Sequence, residues 1–130
     1  DEDGAALQHE VVQCLPAAWE AYDSLSADNR YRLVAAVEAC FAHLPAPWLG
    51  HIEQQLQRYL ADPALQYLAG QAFLQRQLWG KAERLLRQAS HAALPSQLAR
   101  NTWCSLAQLA EERGETSAAQ QAWKTAAQIR

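Results

Sequence analysis

The side chains best suited to chemistry are four histidines (His9, His43, His51, His91), three cysteines (Cys14, Cys40, Cys104) and a carboxylate run of Glu111, Glu112 and Glu115. Nucleophilic catalysis needs a Ser or Cys beside a base that a third group orients. Here the histidines stand on separate segments, and no glycine-bearing elbow presents a Ser. Zinc chemistry asks for His pairs one helical turn apart, or a His with carboxylates on its face. The nearest approach is His51-Ile52-Glu53, and on a helix an i, i+2 spacing points the two side chains apart. Each histidine therefore reads as solvent-facing or capping, and no metal site is expected. The cysteines are odd in number and far apart, with neither zinc spacing nor a disulfide framework. They read as small core residues, which fits a reducing compartment. Phosphate loops need clustered glycines. Gly80 and Gly114 are isolated and suit helix packing and a helix cap. The Glu111–Glu115 run, with Arg113, reads as a solvated helix end, the competing reading being a basic ligand held beside a groove. No catalytic residue is assigned, and the chain reads as non-enzymatic.

Composition agrees with an all-helical chain. Of 130 residues half are hydrophobic, only five are Gly and five Pro, and five are Trp, enough to anchor one core with large rings. The net charge of −3, with basic residues scattered, gives no footprint for nucleic acid or an anionic membrane surface. The apolar runs are too short to cross a bilayer, so no membrane contact is expected of these residues themselves. The chain opens on Asp1-Glu2-Asp3-Gly4 without Met, which reads as a piece of a longer protein.

The elements follow from spacing and punctuation. Ala5 to Leu15 is expected to form a short helix. Pro16 suits the first turn of a second helix, with Trp19 and Tyr22 on one face. A long helix is expected after the Ser24–Asp28 start signals, carrying Leu33, Val34, Val37, Phe41 and Leu44 and ending before Pro45-Ala46-Pro47. Trp48 opens a helix with a Leu49, Ile52, Leu56, Leu60 stripe. Asp62-Pro63 pairs a cap acceptor with Pro at the first helical position. Beyond it Leu65, Leu68, Ala69, Ala72 and Phe73 recur at helical spacing, and a tight turn at Gln77-Leu78 leads to the next helix. Gly114 is expected to close the following helix in the left-handed conformation, and Thr116 or Ser117 to start the last.

Over Asp62–Arg130 one pattern occurs twice. Gly70, Ala82, Leu86 and Ala89 recur as Ala107, Ala119, Trp123 and Ala126, each pair 37 residues apart. Small residues at fixed offsets and a fixed period fit the tetratricopeptide template of roughly 34 residues, with a short insertion around His91–Gln97. The expected packing residues are Gly70, Phe73, Trp79, Ala82, Leu86, Trp103, Ala107, Ala119 and Trp123. The small ones let backbones approach, and the large ones fill the space beside them. The expected fold is thus all-α: antiparallel helical hairpins stacked as a tetratricopeptide-like solenoid of six or seven helices. Residues 1–61 read as a degenerate repeat or capping segment and 62–130 as two repeats (62–95 and 96–130), within a single compact domain. By the family's pattern, the groove-facing positions of the first helices are Ala64, Tyr67, Gln71 and Gln75, then Asn101, Cys104, Gln108 and Glu112. This is an amide-rich surface suited to a peptide partner, although Tyr67 could equally serve packing.

Leu78-Trp79-Gly80-Lys81-Ala82, preceded by Ala61-Asp62-Pro63-Ala64-Leu65 and followed by Leu106-Ala107-Gln108-Leu109 and Glu115-Thr116-Ser117-Ala118-Ala119, resembles the HemY family of proteobacterial inner-membrane proteins. The likeness runs from about Trp48 to the C-terminus and is looser upstream, at Trp19, Leu25 and Arg30. It implies a tetratricopeptide domain on the cytoplasmic side of a protein anchored in the inner membrane through helices outside this chain. It also implies a scaffold or regulator of late haem and porphyrin synthesis, with tetrapyrrole-synthesis enzymes as partners. The alternatives are direct haem or porphyrin binding, for which Cys104 is the candidate axial ligand, and an interaction module of another envelope-assembly system. No other cofactor is expected, and the oligomeric state is left open.

Overall fold

The computed structural model describes residues 16–44 and 47–130; the expected helix over Ala5–Leu15, with His9 and Cys14, and the Pro45-Ala46 pair lie outside them. The described residues are all-helical and contain no strand. A short helical segment over 16–20 runs into a 3-10 turn, Tyr22–Ser24. Six α-helices follow: α1 (Ala27–Ala39), α2 (Trp48–Arg58), α3 (Pro63–Gln75), α4 (Trp79–Ser90), α5 (Ser96–Glu112) and α6 (Thr116–Gln128). A second 3-10 turn, Phe41–His43, comes between α1 and α2. The Ser26 side chain accepts from the Asn29 N–H at 3.2 Å and caps α1. That helix stops at Ala39, short of the expected end before Pro45; Phe41 continues in the 3-10 turn.

Helix α3 is the hub. Every residue from Ala64 to Phe73 is buried, as befits a helix enclosed on all sides. It forms one hairpin with α4, and α5 forms another with α6; the second stacks on the first chiefly through α4 and α5. On the opposite flank α1 and α2 both pack on α3 and scarcely touch one another. Rings occupy the space they leave. Trp19 meets Trp48 edge-on at 5.5 Å, Tyr22 lies 5.3 Å from the Tyr59 ring, and the Gln55 amide donates to the Trp19 carbonyl at 3.0 Å. Trp19 and Tyr22 are both buried, although the expected helix ends at residue 20 and Tyr22 stands in the 3-10 turn that follows it.

Close packing explains the repeated small residues. A Cβ added at Gly70 would lie 2.8 Å from Leu86 Cγ and 2.9 Å from Cδ2, so α3 and α4 approach as they do only because Gly stands there. Ala82, Leu86, Ala107 and Ala119 are buried, as is Phe73; Trp79 and Trp103 pack half-buried against the core. Trp123 departs from the expected packing and is 37% exposed. It holds the repeat position of Leu86, and an indole is larger than a leucyl side chain. The ring therefore turns outward and its N–H donates to Glu111 Oε1 at 2.6 Å. Gly80 is also not a packing glycine, since a Cβ there would meet nothing within 4 Å. Leu60, expected to extend the α2 stripe, follows the end of that helix and is 64% exposed.

The two hairpin turns share one geometry. Leu78 N–H reaches back to Phe73 O and Gln77 N–H to Leu74 O; Glu115 N–H reaches Ala110 O and Gly114 N–H reaches Glu111 O. This double closure requires a left-handed residue, supplied by Gln77 (φ 60°) and Gly114 (φ 73°), again 37 apart. The excess over an ordinary repeat length is taken up by the 91–95 connection and an added turn of helix at the start of α5.

Candidate interaction surface

The residues expected to line a groove fall into two groups. Tyr67 and Gln71 belong to the interior, as does Ala64, correcting the expectation that they present side chains to a ligand. The Tyr67 hydroxyl donates to Glu38 of α1 and accepts from Asn101 Nδ2 of α5 at 3.1 Å. Gln71 Oε1 accepts from Ser105 Oγ at 3.0 Å. Burying α3 strands these side chains away from water, and Tyr67 and Gln71 are satisfied by neighbouring helices, while Gln66 donates to the Leu60 carbonyl at 2.9 Å. The Tyr67 and Gln71 bonds tie α1, α3 and α5 in a row. Burial pushes the Glu38 carboxyl above its usual range, against the opposing pull of the Tyr67 hydroxyl. Burial, then the bond to Glu38, also raises Tyr67. Glu38 and Ser105 were not picked out from the sequence. The signal for Glu38 was a lone carboxylate inside Val34-Ala35-Ala36-Val37-Glu38-Ala39-Cys40.

The second group is open. Gln75, Gln108 and Glu112 are exposed and line one cleft of ≈ 340 Å³ near the two hairpin turns, whose floor includes Leu74, Trp79 and Leu109. Gln75 ends α3, while Gln108 and Glu112 are one turn apart on α5; it is the tetratricopeptide pattern, with helix register, that singles out all three. Glu111 lines the same cleft. Arg113 pairs instead with Glu83 of α4, which also accepts from Arg87 Nε at 2.9 Å. Among the described residues no cationic side chain lines the cleft, which is acidic and amide-rich over an apolar floor.

Asn101 and Cys104 are half-buried on α5; Cys104 is a free thiol, as is buried Cys40. His51 is exposed beside the Trp48 ring, and His91 is exposed at the C-terminus of α4. Among the described residues no group of three His, Cys, Asp or Glu side chains is arranged to hold a metal ion. None of the described helices is long and apolar enough to cross a membrane.

A separate polar cluster fastens the N-terminal flank. Asp62 was expected to cap α3 but makes no side-chain cap bond; it accepts from the Tyr22 hydroxyl and lies 4.0 Å from the Arg30 guanidinium. Arg30 stacks 4.4 Å over the Tyr22 ring and 5.4 Å from that of Tyr59. The carboxylate thus bridges back to residues 22 and 30 instead of closing its own helix. Burial foremost, then the bond to Asp62, drives the Tyr22 hydroxyl to a strongly raised pKa. Comparison with protein-family models, with curated proteins and with solved structures finds no match to this chain.

Proposed function

We propose that this chain is a non-catalytic protein-interaction module of the tetratricopeptide type, a HemY-like scaffold that docks enzymes of late haem and porphyrin synthesis. The observation that supports it most is the cleft at the hairpin turns. Gln75, Gln108 and Glu112 present exposed amides and a carboxylate beside the apolar floor of Leu74, Trp79 and Leu109. Exposed amides donate and accept along a peptide backbone, and an aromatic floor receives an apolar side chain. Stacked hairpins hold such a surface rigidly, because each helix bearing it is fixed by its neighbours. The pathway and the inner-membrane setting come from the resemblance carried by Leu78-Trp79-Gly80-Lys81-Ala82.

The test is affinity capture from a solubilised proteobacterial membrane extract, with the native domain and a Gln108→Lys/Glu112→Lys variant as baits. Both substitutions lie on exposed positions, and the variant's helix content is checked by circular dichroism. Tetrapyrrole-synthesis enzymes retained by the native bait and lost by the variant are the expected result. Retention of none of them by the native bait would sink the scaffold reading.

A further inference from the structure

A second surface lies on the other side of the molecule's hub, between α2 and α4. These two helices flank α3 without closing on each other, and an open groove of ≈ 320 Å³ runs between them with Phe73 and Leu85 in its wall. Leu60, the most exposed large apolar residue described, stands on the α2 side at 64% exposure. The rims carry charge of opposite sign. Glu53 lines the α2 side; Lys81 and Arg84, three residues apart and so on one helical face, line the α4 side. All three charged residues are exposed, and none has an ion-pair partner among the described residues. Elsewhere on the same helices Arg58 pairs with Asp23, and Arg87 with Glu83. Leu56, Leu60, Phe73 and Leu85 give the groove apolar walls, and Lys81, whose ammonium lies 5.5 Å over the Phe73 ring, forms with Arg84 a cationic rim; together they match a helix whose apolar stripe enters the groove and whose flank carries carboxylates.

We propose that the α2–α4 groove docks an amphipathic helix of a partner protein, with acidic residues along the flank that faces Lys81 and Arg84. This surface is distinct from the cleft at the hairpin turns, and either can fail without the other.

Two synthetic helical peptides test it, sharing one leucine stripe and carrying either glutamates or lysines along one flank. Their affinities for the native chain are measured by fluorescence anisotropy. The glutamate peptide is expected to bind about three- to tenfold more tightly, the range for two exposed ion pairs. A Lys81→Glu/Arg84→Glu variant should reverse that preference, and Leu60→Asp should weaken both peptides while leaving the circular dichroism unchanged, since Leu60 is already in water. No binding to the native chain, equal affinity for both peptides, or an unchanged preference in the charge-reversed variant would overturn the proposal. So would sedimentation showing a dimer that Leu60→Asp dissociates, which would give the groove to a second copy of this chain.

Discussion

The two flanks of α3 do the same work with different materials. On the side of α4, α5 and α6 the small residues Ala82, Ala107 and Ala119 are buried, and at Gly70 the approach of α4 leaves no room for a Cβ. On the side of α1 and α2 the helices diverge, and the rings of Trp19, Tyr22, Trp48 and Tyr59, with Arg30 and Asp62 among them, occupy the gap. Close approach tolerates few residue types at a fixed offset, so it prints a period on the sequence. A ring wedge needs only bulk and a few hydrogen bonds, so it prints none. A large aromatic therefore means opposite things at the two ends: Trp19 is 7% exposed and fills a gap, whereas Trp123 is 37% exposed on the outside of α6.

Substitutions sharpen that contrast. Trp19→Ala should cost about 3–5 kcal/mol, as expected for emptying a buried ring site, while Trp123→Ala should cost under about 1 kcal/mol. Urea unfolding of the two variants compares them directly, and similar losses would break the distinction. The glycines come next. Gly70→Ala should lose about 1–2 kcal/mol, because overpacking against Leu86 at about 1–3 kcal/mol exceeds the roughly 1 kcal/mol helix preference of alanine. Gly80→Ala has only the helix preference and should gain about 0.5–1 kcal/mol. Gln77→Gly should gain about 1 kcal/mol by relieving a left-handed non-glycine residue, and Gly114→Gln should lose a similar amount.

The polar row across α1, α3 and α5 gives a pH signature. The Glu38 carboxyl is raised in the folded chain, so the folded state holds that proton more tightly than the unfolded state. The contribution of Glu38 to stability is greatest below its unfolded pKa, near 4.5, and falls as pH rises through the folded value. Glu38→Gln keeps an acceptor for Tyr67 and should flatten that part of the stability–pH curve. Tyr22 and Tyr67 are both raised from 10.0, so their contributions hold below pH 10 and are lost as pH climbs beyond it. Thermal unfolding across pH, native against Glu38→Gln, reads both limbs.

Much of the second half of the fold was legible because its packing is periodic. The helices beginning at Trp48, Pro63 and Thr116, the Gly114 cap and the Gln77-Leu78 turn all follow from local chemistry. What the sequence did not disclose depends on long-range partners. Asp62 has the form of a helix cap, but Tyr22 and Arg30 compete for it; Tyr67 and Gln71 have the register of a groove, but neighbouring helices close over them. Gln75, Gln108 and Glu112, singled out by the tetratricopeptide pattern, stay exposed and line one cleft.

The most direct test of the interaction reading is site-specific photo-crosslinking in a proteobacterial membrane extract. One crosslinker replaces Gln108, inside the cleft; the other replaces Gln120, exposed on α6 and outside the set of residues lining it. The account predicts a tetrapyrrole-synthesis enzyme linked at position 108 and not at 120. Linkage at 120 alone, or none at either position, would contradict it.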